Sequence, residues 1–158
     1  MPWAKCATAS TPTRSLTFYD GATPTVFPSL LKACEWLIAS GDLRATWLVH
    51  DQLAKQADDV YKWAEGQSDL FVPPDEPVQA AATEILANHG GLVDESATDP
   101  VDADPFVIAL AQVNNAAVIT SEVWSNSPIR PCIPNVCDAL GIPCMDLLEF
   151  FEAEGWAF

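Results

Sequence analysis

Two carboxylates, Asp104 and Glu122, lie in the one stretch of the sequence that combines a regular structural pattern with side chains able to do chemistry. Asp104 stands before Pro105 at the start of an apolar segment, where it can cap a helix whose first turn accepts proline. Glu122 follows the unbroken apolar run 116–120, which is typical of a strand covered on both faces in a parallel sheet. Because sites in open α/β sheets form beyond the carboxyl ends of the strands, we expect Asp104 and Glu122 to face one another, with Asp102 nearby.

The charge of the chain limits what such a site can bind. Acidic residues number 22 against 7 lysines and arginines, which gives a formal net charge of −15. Binding of nucleic acid by electrostatic attraction alone is disfavoured, because neutralising phosphates requires clustered basic residues. A divalent metal ion or a basic partner suits this charge better, and the acidity also favours solubility.

Length and composition predict one soluble domain over residues 1–158, since a chain of this size can bury one core. No apolar run approaches the roughly 20 residues that span a bilayer, so we expect no membrane association. No signal segment opens the chain and the five cysteines are odd in number, which favours the cytoplasm. Cys132, Cys137 and Cys144 lack the CxxC pairs of zinc modules and are expected to be buried or free thiols, with a structural zinc as the alternative.

Hydrophobic spacing and end signals predict alternating helices and strands in the order β, α, α, β, α, α, β, α, β, α. This order indicates an α/β fold with a mainly parallel sheet and right-handed crossovers. The predicted strands are 3–7, 70–72, 116–120 and 142–145, and 16–19 is a further short candidate. The predicted helices are 28–40, a pattern from 43 to 66, 77–89, 105–113, 134–140 and a last helix capped by Asp146 with Glu149.

The central stretch resembles the second half of a PIN domain. In that family an acidic residue opens a helix and another follows the next strand, as in DPFVIALA from Asp104 and VITSE ending at Glu122. The segments VFPSL (26–30), VHDQL (49–53) and IPNVC (133–137) resemble, in order and spacing, a PIN-like branch of bacterial proteins called DUF4411. The similarity covers about residues 26–158.

The resemblance implies a PIN-like three-layer fold, with a mainly parallel central sheet flanked by helices. It also implies an endoribonuclease of toxin–antitoxin type that depends on Mg²⁺ or Mn²⁺. In such enzymes carboxylates hold hard divalent cations, which activate water and stabilise charge on the phosphorus. RNA would be the substrate, and an antitoxin protein and a second copy of the chain would be partners.

By the same resemblance, Asp104 and Glu122 match the third and fourth acids of the family and are the implied catalytic residues. Asp104 and Glu122 are the implied metal ligands, and Asp102, Asp51 and Asp20 are further candidates, of which Asp51 is an imperfect substitute because it is adjacent to Gln52 and points about 100° away on a helix. Two positions depart from the pattern. Gln52 replaces the family's second acid, which is a Glu followed by Leu. The family's first acid should lie at the end of the first strand, but residues 1–19 contain no Asp or Glu. Residues 1–26 are therefore expected to form an atypical or truncated first strand.

These departures leave two hypotheses. The chain is either a metal-dependent ribonuclease whose site is impaired, or a catalytically inactive PIN-fold protein that acts as a binding or interaction module. A metal-storage or redox role of the cysteine cluster is a third and weaker hypothesis.

Overall fold

The structure is a computed structural model that describes residues 4–7, 28–54, 59–93 and 102–157. Short parallel strands alternate with helices along these residues, which confirms the predicted α/β class. In chain order the described elements are β1 (Ala4–Ala7), α1 (Pro28–Ser40), β2 (Ala45–Thr46), α2 (Trp47–Ala54), α3 (Asp59–Glu65), β3 (Phe71–Val72), α4 (Glu76–Asn88), a 3₁₀ turn (Gly90–Leu92), α5 (Asp104–Val113), β4 (Ala116–Ile119), α6 (Ile133–Leu140), β5 (Cys144–Met145) and α7 (Leu147–Glu154). The candidate strand 16–19 lies outside the described residues.

Strand β4 is the centre of the larger group of strands. It lies between β1 and β5 and runs parallel to both, with Ala116 opposite Ala4 and Val118 opposite Cys144. All residues of β4 are buried, as its unbroken apolar sequence predicts. The described strands form this group and a separate pair, β2 with β3, rather than one continuous sheet.

The pair β2–β3 corrects one prediction. Residues 43–66 are not one helical pattern, because Ala45–Thr46 forms a strand parallel to Phe71–Val72 before α2 begins. The backbone N–H of Ala45 donates to the carbonyl of Leu70 at 2.8 Å, which fixes this pairing. A strand this short owes its conformation to a partner 26 positions away in the chain, and local hydrophobic spacing does not carry that information.

Helix α5 leads into β4 and is buried along most of its length, where it packs on α4 and β4. It ends as predicted at Asn114 and Asn115. The side-chain amide of Asn114 donates to the carbonyl of Leu110 at 2.8 Å, and Asn115 takes a positive φ of 51° that turns the chain into the strand. This tight connection places the start of α5 and the end of β4 in one region of the molecule.

The last elements also follow the sequence prediction. Helix α6 ends at Gly141 in the left-handed conformation, and β5 and α7 follow. Asp146 accepts the N–H of Glu149 at 2.9 Å, and Glu149 accepts the N–H of Asp146 at 2.8 Å, which is the predicted capping box. None of the described helices combines the length and the apolar character needed to cross a membrane.

Candidate functional site

Asp104 is the first residue of α5 and is buried, with 3 % of its surface exposed. The prediction that its side chain caps the helix is wrong, because the helix begins at Asp104 itself and Ala103 holds the capping position without a side-chain bond. Asp102 serves the helix start instead, since its Oδ1 accepts the backbone N–H of Asp104 at 3.1 Å. The Asp104 carboxyl is therefore inside the protein rather than at a solvated helix end.

The surroundings of Asp104 favour its neutral form. Burial, the charges of Asp102 and Glu122, and a side-chain hydrogen bond with Asp102 raise the pKa of Asp104 to about 8. Its Oδ1 has no hydrogen-bond partner among the described residues. The structure thus brings together three of the predicted site residues, Asp102, Asp104 and Glu122, which we call the carboxylate cluster.

Glu122 is held between β4 and α6. Its backbone N–H donates to Thr120 Oγ1 at 3.1 Å, and its Oε2 accepts the N–H of Ile133, the first residue of α6, at 2.9 Å. A negative charge is favourable there because the helix dipole is positive at its N-terminus. Glu122 therefore has a structural contact that the sequence reasoning missed.

Asn135 is a second residue that the sequence reasoning missed. Its Oδ1 accepts the N–H groups of Cys132 and Ser125 at 3.0 and 2.9 Å, and its Nδ2 donates to the carbonyl of Ser125 at 2.9 Å. These bonds tie the loop after Glu122 to the first turn of α6. The sequence did contain a signal for this role. Pro134 marks the first turn of a helix, and Asn135 is its third residue, the position at which a side chain often caps the helix start.

A cavity of about 510 Å³ opens beside Glu122 at the carboxyl ends of β4 and β5. Its lining includes four acidic side chains and one tryptophan: Glu122, Asp138, Asp146, Glu149 and Trp124. Of the carboxylate cluster, only Glu122 is among the described lining residues. The cavity is therefore adjacent to the cluster, and its walls carry negative charge.

The remaining predicted ligands are placed differently. Asp51 is exposed on α2, and its Oδ1 lies 3.5 Å from Nδ1 of His50. Asp51 is not among the charged groups that raise the pKa of Asp104, which are Asp102 and Glu122. Gln52, which stands where the resemblance implies a second acid, is half-buried on the same helix. Asp20 lies outside the described residues. Within those residues, no three of the His, Cys, Asp and Glu side chains are grouped so that they could hold a metal ion.

Strand β1 also bears on the site, because it is the parallel neighbour of β4. Its sequence, Ala-Lys-Cys-Ala, and the 12 residues after it to position 19 contain no acid. Strand β1 and the segment up to residue 19 therefore supply no carboxylate to the site.

These features define an α/β protein with parallel strands and a carboxylate cluster at the end of its central strand. Residues 19–158 match the family model described as "Domain of unknown function (DUF4411)", and the chain belongs to this family. This match confirms the resemblance to the DUF4411 group. Comparison with curated proteins gives no match.

Proposed function

We propose that the chain is a PIN-like, Mg²⁺- or Mn²⁺-dependent endoribonuclease of toxin–antitoxin type, with the carboxylate cluster as its cation-binding centre. The observation that carries this proposal is the buried Asp104 carboxyl, which lies near two further acids and whose Oδ1 has no hydrogen-bond partner in the part of the chain that the structure describes. Burial of the ionised form of such a group beside like charges is unfavourable unless a positive charge joins it. A divalent cation would supply that charge.

The donor atoms of the cluster fit a hard cation. All three side chains offer carboxylate oxygens, the ligands that Mg²⁺ and Mn²⁺ prefer. Mg²⁺ usually keeps several waters and uses only one or two carboxylates together with substrate phosphates, so it does not require three protein ligands at one point. Asp104 would be the principal ligand through its Oδ1, and Asp102 and Glu122 would complete the negative surroundings.

The parallel arrangement of β1, β4 and β5, with α5 leading into the central strand, supports the PIN-like three-layer fold that is part of this proposal. A bound cation would activate water and stabilise the charge on the phosphate. The chain itself fixes the carboxylates in advance, because Asp102 is bonded to the start of α5 and Glu122 to the start of α6.

The cavity walls affect how RNA would approach. Asp138, Asp146 and Glu149 repel a polyanion, and the net charge of −15 adds to this repulsion. Cleavage would therefore depend on divalent cations both at the cluster and in solution, where they screen the RNA phosphates.

A second candidate function is an inactive PIN-fold protein that acts as a binding module. It is favoured by Gln52, by the acid-free β1, and by the lack of a three-ligand group among the described residues. Its acidic surface would suit a basic partner, such as an antitoxin segment, and the PIN resemblance adds a homodimer as a further partner.

RNA cleavage by metal-stripped protein, with Mn²⁺ added back, distinguishes the two functions. The native chain is compared with Asp104→Asn, Gln52→Glu and the control Glu84→Gln, which changes an exposed acid on α4. A contaminating nuclease would cleave equally in all four preparations, so only differences between variants are informative.

We expect Mn²⁺-dependent cleavage by the native chain and the control. Cleavage should fall at least about tenfold in Asp104→Asn, because loss of a residue that only orients a metal ligand already costs about 10- to 100-fold. It should rise in Gln52→Glu, which places an acid at the position where the PIN resemblance implies one. Equal activity in the native chain and Asp104→Asn would contradict the proposed centre. Absence of cleavage in all four would favour the binding module.

A further inference from the structure

The cavity beside Glu122 has apolar walls as well as acidic ones. Four of its described lining residues are acidic, and none of them is a lysine or an arginine. The apolar part of the lining consists of a tryptophan and four further side chains: Trp124, Pro134, Ile142, Pro143 and Met145. A volume of about 510 Å³ is typical of sites that hold organic groups and is far larger than one metal ion. The cavity therefore suits a group that joins a positive charge to an apolar stem.

The cavity is bordered by exposed apolar side chains, which we call the apolar rim: Val123, Trp124 and Leu148. Val123 lies in the chain between the lining residues Glu122 and Trp124, and 73 % of its surface is exposed. Trp124 is 54 % exposed although it lines the cavity. Leu148 stands between two further lining residues in the first turn of α7 and is 70 % exposed. Clustered apolar groups on a surface mark sites of interaction, and a small free amine would leave this rim uncovered.

The loop that carries most of the rim is anchored on both sides. Before the rim, Oε2 of Glu122 accepts the backbone N–H of Ile133 at 2.9 Å. Directly after Trp124, the backbone N–H of Ser125 donates to Oδ1 of Asn135 at 2.9 Å. A surface that is ordered in advance loses little conformational entropy when it binds a partner.

Charge selects among the possible occupants. A second copy of the chain would bring the same net charge of −15, and Arg130 is its only lysine or arginine after Lys62. RNA is a polyanion and is repelled by the acidic lining. A protein segment that carries arginine or lysine is attracted instead. Arginine fits best, because its guanidinium binds carboxylates through paired hydrogen bonds and stacks on tryptophan.

We infer that the cavity and its apolar rim form a docking surface for a basic amphipathic segment of a partner protein. An arginine or lysine of this segment enters the cavity to contact Trp124 and the acidic lining, and its apolar neighbours cover the rim. Docking needs neither RNA nor a cation at the carboxylate cluster. The inference is therefore independent of the proposed nuclease activity, and the two tests can fail separately.

The test measures binding of a fluorescent synthetic peptide, built from arginine and leucine, to the full native chain. Fluorescence anisotropy is recorded at physiological ionic strength, where distant charges are screened. Two matched peptides carry serine in place of leucine or glutamate in place of arginine. We expect the arginine-leucine peptide to bind at least about tenfold more tightly than the arginine-serine peptide, because only the first can cover the apolar rim. The glutamate-leucine peptide should not bind.

Four variants locate the binding. Trp124→Ala and Asp138→Lys should each weaken binding of the arginine-leucine peptide at least about tenfold, because they remove an aromatic anchor and reverse a charge of the lining. Trp36→Ala and Glu84→Lys are the matched controls, since both residues are exposed and neither is among the described lining residues. Glu84→Lys alters the net charge as much as Asp138→Lys does, so attraction to the overall charge alone would affect both variants equally.

A photo-crosslinking form of the same peptide locates the site in the native chain, so the result does not depend on how a variant folds. We expect crosslinks within residues 122–124 or 142–149. Crosslinks elsewhere, equal binding of the arginine-leucine and arginine-serine peptides, or equal losses in the controls would overturn the inference. A native dimer that Trp124→Ala dissociates would assign the surface to a second copy and would also overturn it.

Discussion

Replacing Asp104 with asparagine should stabilise the protein in the absence of a divalent cation. The pKa of Asp104 rises from 3.8 to about 8 on folding, so between these values the unfolded chain is ionised at this position and the folded chain is not. Unfolding then releases a proton, and the free energy of unfolding falls as pH rises through this window. One pKa unit corresponds to about 1.36 kcal/mol. Between pH 3.8 and pH 7 the free energy of unfolding therefore falls by about 4 kcal/mol.

The assay is urea unfolding in a chelating buffer at pH 4.5 and 7.5. We expect Asp104→Asn to be more stable than the native chain by about 2 to 4 kcal/mol at pH 7.5, and by only about 1 kcal/mol at pH 4.5, which is less than one pH unit above 3.8, because an amide does not ionise. The amide can also donate to the neighbouring carboxylates of Asp102 and Glu122. The control Glu84→Gln, which alters an exposed acid, should have the same free energy of unfolding as the native chain at pH 4.5 and at pH 7.5.

Addition of Mn²⁺ should reverse the order. A cation that binds only the folded native chain stabilises it by mass action, and Asp104→Asn should gain less. The reasoning is refuted if the native chain does not lose stability relative to the variant between pH 4.5 and 7.5. It would then follow that Asp104 is ionised in the folded protein.

Three further outcomes test other parts of the structure. Gly91→Ala should destabilise the protein by about 1 to 3 kcal/mol in thermal or urea unfolding, because a Cβ there would overlap the carbonyl oxygen of Ile129. Gly90→Ala is the control and should be neutral or slightly stabilising, because a Cβ at Gly90 meets no other atom within 4 Å. Asp146→Ala should cost about 1 kcal/mol in urea unfolding through loss of the α7 cap, and an unchanged midpoint would contradict that role. Cys144 lines the acidic cavity, so at low ionic strength it should react about tenfold faster with cystamine, a cationic disulfide, than with the anionic oxidised glutathione. Added salt should reduce this difference in rate. Equal rates at low salt would show that the cavity charge does not act on Cys144.

The position of the carboxylate cluster could be predicted from the sequence because two local signals agree. The unbroken apolar run before Glu122 indicated a doubly covered parallel strand, and Pro105 marked the start of a helix. The order of elements then places the start of α5 and the carboxyl end of β4 at the same edge of the sheet. The capping box of Asp146 and Glu149 was equally predictable, because both residues lie within one turn.

What the sequence did not predict depends on contacts between distant residues. The burial of Asp104 results from packing of α5 on α4 and β4, which turned an expected helix cap into an interior acid. The bond from Glu122 to Ile133 joins positions 11 apart across a loop, and β2 exists only because β3 pairs with it. Local patterns describe single elements, and these features belong to pairs of elements.

Strand β1 has a consequence for any shortened version of this protein. Its four residues pair with β4 along the whole strand, yet they precede residues 19–158, the part of the chain that the family model matches. A fragment cut to the family boundaries would uncover the N–H and C=O groups along one edge of the strand that leads to Glu122. An uncovered edge invites a strand from another molecule, so such a fragment should self-associate where the full chain does not expose that edge.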